Sequence, residues 1–161
     1  MTWNVRFSVE DRVRISAAAE ERRRKWAAQG RTQAVPDTDQ SLVDMVGLAG
    51  EWAFYKAVLG LEWVEPAWCA SDVTIGDCRV DIKSTWREDG NLLVTPNNTA
   101  QDDCDVYVLV RVDADVTEAT MVGWQYAKYV RKAEFLTKLR SWVFLYPAEK
   151  LQPMHSLLEV G

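Results

Sequence analysis

Gly76-Asp77 interrupts two runs in which apolar and polar residues alternate, and this interruption constrains the fold more than any other stretch. A two-residue loop with Gly in first place fits a type II′ turn between antiparallel strands. The turn sets a register: Ile75 opposite Cys78, Thr74 opposite Arg79, Val73 opposite Val80, Asp72 opposite Asp81. Successive strand side chains point to opposite faces. One face then carries Val73, Ile75, Cys78, Val80 and Ile82, and the other Asp72, Thr74, Arg79, Asp81 and Lys83. The opposed carboxylates of Asp72 and Asp81 would have Cβ atoms roughly 5 Å apart, and like charges so placed repel. A divalent cation is the natural counterweight, with Lys83 two residues along the same face. A one-residue slip would turn Asp72 into the apolar side, so the arrangement depends on the register.

Two helices are expected before the hairpin. Trp3, Val5 and Phe7 alternate as in a short strand. Ser8, with an acid three residues on at Asp11, then reads as a helix start, and Gly30 as the stop after Gln29. The run Arg22-Arg23-Arg24-Lys25 invites a nucleic-acid reading. Glu20–Arg24 and Glu21–Lys25 fall at i,i+4 spacing, however, which favours a solvated, ion-paired face. Residues 31–40 read as a loop. From Gln40 to Leu59, Leu42, Met45, Val46, Ala49, Trp52 and Ala53 fall on one buried helical stripe. A second line holds Asp44, Gly47, Leu48, Glu51, Tyr55 and Val58. Gly47 and Gly50 each cost a helix interior about 1 kcal/mol relative to Ala, which makes sense where another backbone packs closely. Glu51, beside Gly50, is expected half-buried, with Asp44 two turns before it on the same side.

After Gly60, residues Leu61 to Val64 read as the start of a strand. Leu92-Leu93-Val94 precedes a polar loop reaching Gln101. Asp105 to Val112 is nearly all apolar and reads as a central strand. Ala119 to Trp124 is a further strand, 125–140 is expected to be helical, Ser141 to Tyr146 is a late strand, and 148–161 a short turn or helix laid on the body. The pattern of helix, helix, three or four antiparallel strands, helix and short strand gives an α/β (α+β) sheet with helices packed on it. One domain is expected over the 161 residues.

Composition narrows the function. The net charge of −5 argues against coating nucleic acid by bulk charge, though not against an acidic metal site acting on it. Residues 1–40 hold eight Lys/Arg against six acids, and 41–161 hold eleven against eighteen, so a phosphate-facing patch is expected from the N-terminal part. Cys69, Cys78 and Cys104 are odd in number and lack a C-x-x-C spacing, which fits a reducing cytoplasm without structural zinc. No long apolar run points to a membrane. His155, the only histidine, is expected to be structural or incidental.

About one acid-x-Lys triplet is expected by chance in a chain with 24 acids, so Asp81-x-Lys83 alone carries nothing. In context, Gly47-x-x-Gly50-Glu51-x-Ala53, then Asp72, then Asp81-Ile82-Lys83 inside a hairpin resembles the PD-(D/E)XK nuclease superfamily, from about Ser41 to Val112. Val122-Gly123-Trp124 and Leu145-Tyr146-Pro147 are similar to small phage-encoded members. Ser71 stands where the family commonly has Pro, and Gln101 lacks the spacing to a Tyr that marks the exonuclease branch. The resemblance implies a restriction-endonuclease-like core over 41–161, with 1–40 as a helical extension and a central mixed sheet with an antiparallel hairpin.

It also implies Mg²⁺- or Mn²⁺-dependent cleavage of DNA by an endonuclease, in the host cytoplasm if phage-encoded. RNA as substrate and a homodimer stay open. By the resemblance, Asp72 and Asp81 bind the ion with the Ile82 carbonyl, Lys83 orients the attacking water and Glu51 serves a second ion or its waters. Arg79 and Thr85 would touch substrate. The alternative is a member of the same fold that has lost catalysis and binds nucleic acid or protein.

Overall fold

The computed structural model describes residues 3–30, 39–66, 71–96 and 104–160. Residues 31–38 of the loop expected over 31–40 lie outside them, as do Cys69 and Gln101, while Asp39 caps and Gln40 opens the next helix. The chain is a mixed α+β fold with two sheets. The central sheet has the order β1-β6-β5-β3-β2, from β1 (Asn4–Arg6), β2 (Val73–Ile75), β3 (Cys78–Thr85), β5 (Val106–Val112) and β6 (Glu118–Tyr126). A smaller antiparallel sheet has the order β4-β8-β7, from β4 (Leu92–Val94), β7 (Leu136–Lys138) and β8 (Trp142–Tyr146). Among the described residues no helix is long and apolar enough to cross a membrane.

The hairpin forms in the expected register, with Val73, Thr74 and Ile75 opposite Val80, Arg79 and Cys78. Gly76 has φ of 58° while Asp77 does not enter the positive-φ region, as a type II′ turn requires. The ladder stops at Val73. Asp72 is not paired with Asp81; its Oδ2 instead accepts the Ile82 N–H at 2.6 Å. The central sheet is mixed with an antiparallel hairpin, as expected for the sheet as a whole; the parallel pair that the strand pattern alone did not give is β3 with β5, from Val80 beside Val106 to Thr85 beside Arg111.

Helix α1 (Val9–Ala28) starts at a capping box: the Ser8 hydroxyl accepts the Asp11 N–H, and the Asp11 carboxylate accepts the Ser8 N–H. Helix α2 (Gln40–Phe54) continues into a π turn, Tyr55–Leu59, and ends at Gly60. Ile15 and Ala19 of α1, Val46, Ala49, Trp52 and Ala53 of α2, and Val80, Ile82, Val106, Val108, Val110 and Val112 share one core. The opposite face of β5, with Tyr107 and Leu109, joins Leu92, Val94 and Tyr146 in a second core under the small sheet. Both faces of β5 are therefore buried, which explains its continuous apolar run. The tail is fixed by a two-way backbone bridge between Trp124 and Gln152 and by the Trp124 indole N–H donating to Ser156 Oγ at 3.0 Å.

Three further expectations need correction. Leu61 to Val64 forms no strand. Of residues 125–140, Gln125 and Tyr126 end β6, and one helical turn, α3 (Ala127–Val130), a 3-10 turn at Ala133–Phe135 and then β7 follow. That stretch lacks a continuous 3.6-residue apolar stripe, so pairing with β8 prevails over local helix preference. The α2 glycines also differ from one another. A Cβ on Gly50 would stand 1.9 Å from Ser84 Oγ and 3.1 Å from Ser84 Cβ, whereas one on Gly47 would meet nothing within 4 Å. A side chain of β3, not another backbone, fixes the closest approach of helix to sheet.

Gly50→Ala is expected to destabilise the fold by about 1–3 kcal/mol through overpacking, with partial recovery in Gly50→Ala/Ser84→Ala. Gly47→Ala should stabilise it by up to about 1 kcal/mol. Urea unfolding of the three variants beside the parent checks both signs.

Candidate active site

The expected site residues gather at the sheet edge where β2 meets β3, and they approach it from two sides. Register places Asp81 and Lys83 on the face of β3 shared with Tyr107 and Leu109, under the small sheet. Glu51 and Tyr55 come from α2 and its π turn, which pack on the other face. Asp72, just before the edge strand, feels both groups. Its backbone carbonyl accepts the Tyr55 hydroxyl at 3.2 Å. Burial, then the charges of Glu51 and Asp81, push its carboxyl well above the ordinary value of 3.8, against the opposing pull of the Ile82 N–H and Lys83. Burial and the charges of Glu51 and Asp72 likewise raise the Tyr55 hydroxyl.

Lys83 Nζ lies 2.7 Å from Asp81 Oδ2. Burial works to lower the Lys83 pKa, but the Asp81 carboxylate and, further off, Asp72 outweigh it, and the net shift is upward. Lys83 is thus a cation that can donate hydrogen bonds or stabilise negative charge, not a neutral base.

Glu51 is buried, with 8% of its side chain exposed, and both of its oxygens are engaged. Arg22 grips it with two bonds of 2.8 Å, Nη1 to Oε1 and Nη2 to Oε2, while the Trp63 indole N–H donates to Oε2 at 3.2 Å. The same guanidinium reaches Glu65 through Nε at 2.9 Å and Nη2 at 3.1 Å, and lies 5.9 Å from the centre of the Trp26 ring and 5.7 Å from that of Trp63. Burial alone would lower the Arg22 pKa; Glu51 and Glu65 raise it instead.

The basic run is therefore not a plain solvated face. Arg22 is internal, Arg23 pairs with Asp44 at 2.7 Å, and Arg24 pairs with Glu21. Arg22, Trp63 and Glu65 were not legible as site residues, yet a signal existed. Arg22 falls on the line of Ile15, Ala19 and Trp26, and only a partnered Arg belongs on a buried stripe.

The remaining candidates are more dispersed. Arg79 is held by Asp105, with Nη2 to Oδ1 at 2.9 Å and Nε to Oδ2 at 3.1 Å. The Ile82 side chain is buried in the helix-side core. Thr85 Oγ1 accepts the Arg87 N–H at 3.2 Å, and Thr85 lines a cavity together with Lys83. His155 is exposed on the C-terminal 3-10 turn, away from these groups.

Among the described residues no three acid, His or Cys side chains stand close enough to hold a metal ion together. Mg²⁺ commonly uses only one or two carboxylates and keeps several waters. Asp72 and Asp81, with the Ile82 carbonyl, suit such a minimal set, and the desolvated Asp72 is a group whose ionised form a cation would stabilise. Glu51 contributes its charge while Arg22 holds its oxygens. Comparison with protein-family models, curated proteins and solved structures finds no match to this chain.

Two expectations follow. Arg22→Met leaves Glu51 buried and unpaired, which should cost about 3–5 kcal/mol, and Arg22→Met/Glu51→Leu should recover most of it; chemical denaturation reads both. Asp72 has a raised folded-state pKa, so between 3.8 and that value the native state binds more protons than the unfolded chain, and parent stability falls as pH rises. Asp72→Asn should therefore be more stable than the parent in metal-free buffer at pH above the raised value. The gap should close as pH falls, in thermal melts across the range; parallel curves would refute it.

Proposed function

We propose that the chain is a metal-dependent nuclease that hydrolyses phosphodiester bonds, acting as a DNA endonuclease on a restriction-endonuclease-like core. The observation that carries this reading is the geometry at the open end of the β2–β3 hairpin, where the Asp72 carboxylate accepts the Ile82 N–H at 2.6 Å and Asp81 holds the Lys83 ammonium at 2.7 Å. Asp72, Asp81 and the Ile82 carbonyl would hold Mg²⁺ or Mn²⁺, which when bound supplies Lewis-acid polarisation of a phosphoryl oxygen. Asp81 fixes Lys83 at 2.7 Å, so that its ammonium can stabilise charge developing on the phosphate and orient a water. Arg22 holds Glu51 as a fixed anion behind Asp72.

The second reading, a catalytically silent module of the same fold, is favoured by one observation: both Glu51 oxygens already belong to Arg22. Supercoiled and single-stranded DNA, each with Mg²⁺, Mn²⁺ or EDTA, separate the two. The nuclease reading expects metal-dependent cleavage, abolished by EDTA and lowered about 100-fold or more in Lys83→Ala. Equal rates in variant and parent, or cleavage that survives EDTA, would sink the mechanism. Absence of cleavage on every substrate would leave the silent module.

A further inference from the structure

We propose that the cavity between the two sheets is a binding groove for a single DNA strand, leading to Lys83. The placement rests on the nuclease reading above; the binding itself does not require metal. The cavity has a volume of about 750 Å³. Its walls are the end of β3 with Lys83 and Thr85, the following turn with Trp86 and Arg87, and the β7–β8 turn with Leu139 and Arg140.

Two properties identify the occupant. The first is charge. The described lining residues include Lys83, Arg87 and Arg140 and no carboxylate, in a chain of net charge −5. Lys83 is ion-paired with Asp81, but the guanidinium groups of the two arginines in the lining suit the phosphates of a polyanion. The second is exposed apolar surface beside those cations. Trp86 is 37% exposed, Leu93 43% and Leu139 50%, and all three line the cavity. A duplex keeps its bases stacked inside and would present to this slot only its backbone. An unpaired strand offers phosphates to the arginines and base faces to the indole, the combination that single-strand grooves use.

The walls are also fixed in place. The Arg87 carbonyl accepts Arg111 Nε at 3.2 Å, and the Arg87 N–H donates to Thr85 Oγ1. The β7–β8 turn is closed by the Leu139 N–H donating to the Ser141 carbonyl at 3.1 Å. The cations are thus carried on a preformed backbone, so that strand binding need not order the turns.

The test uses the full chain in EDTA, where cleavage is off, with fluorescence anisotropy of a labelled single strand of roughly 12 nucleotides, within the size range of known single-strand sites. A duplex of the same sequence and a poly-glutamate peptide serve as competitors. The single strand is expected to bind tighter than either. Arg87→Ala/Arg140→Ala should lower the slope of log affinity against log salt by about 1.4, the value for two lost phosphate contacts on a single strand. Trp86→Ala should weaken binding and shrink the tryptophan quenching that accompanies it, with circular dichroism confirming that both variants fold. Unchanged affinity and salt slope in the folded variants overturns the groove, as does equal or better competition by the duplex or the peptide. Metal-dependent cleavage lost in Lys83→Ala, with groove variants binding like the parent, removes the groove and keeps the nuclease. Groove-dependent binding, with cleavage indifferent to Lys83→Ala, does the reverse.

Discussion

One guanidinium joins the parts of this fold that the sequence keeps far apart. Arg22, on α1, binds Glu51 on α2 and Glu65 beyond the π turn, and it lies against two tryptophan rings. Neither Arg22 nor Glu51 has much access to water, with 13% and 8% of their side chains exposed. Desolvating two ions is costly, and replacing such a pair by apolar residues is often no loss to stability. The pair is thus better understood as a positioning device than as a source of stability. It sets where α1 lies on α2 and fixes the Glu51 side chain between the two helices and the Trp63 indole.

That fixed anion has a consequence for the carboxylates nearby. Glu51, Asp72, Asp81 and Glu65 gather around two cations, Arg22 and Lys83, and the cations are unevenly shared. Arg22 serves Glu51 and Glu65, and Lys83 serves Asp81. Asp72 receives the Ile82 N–H. That donor and the charge of Lys83 do not offset burial and the charges of Glu51 and Asp81, which is why its carboxyl is shifted upward. Arg22 offsets part of the Glu51 charge while it fixes where that carboxylate stands relative to Asp72.

Much of this was legible from local rules, and what was not is instructive. The Gly76-Asp77 turn, the Ser8–Asp11 capping box and the doubly buried β5 each follow from a short-range signal, and each formed as expected. The parallel pairing of β3 with β5 was hidden, because nothing in either strand specifies direction; the intervening chain, including β4, decides it. The small sheet was missed for a related reason. Its strand β7 is three residues of mixed polarity whose pairing partner, not its own pattern, makes it a strand. At the site, the register gave Asp81 and Lys83 a common face, but it also placed Asp72 in the ladder. The carboxylate instead satisfies a backbone N–H at the hairpin's end, a choice that strand periodicity cannot anticipate.

The alternation along β3 links the acidic corner to the basic cavity. Asp81, Lys83 and Thr85 point to one face at steps of about 7 Å, so Asp81 and Thr85 stand roughly 13 Å apart along the strand. Over that distance the lining changes from paired carboxylates to arginines and an exposed indole. Lys83 belongs to both: it is ion-paired with Asp81 and also faces the cavity. The period of two that makes β3 a half-buried strand thereby puts Lys83 between the Asp81 carboxylate and the cavity. The other parity of the same strand, Val80, Ile82 and Ser84, seats α2 and so holds Glu51 in place. A shift of β3 by one residue would exchange these two sets of side chains, so the helix packing that stabilises the core also enforces the register on which the site depends.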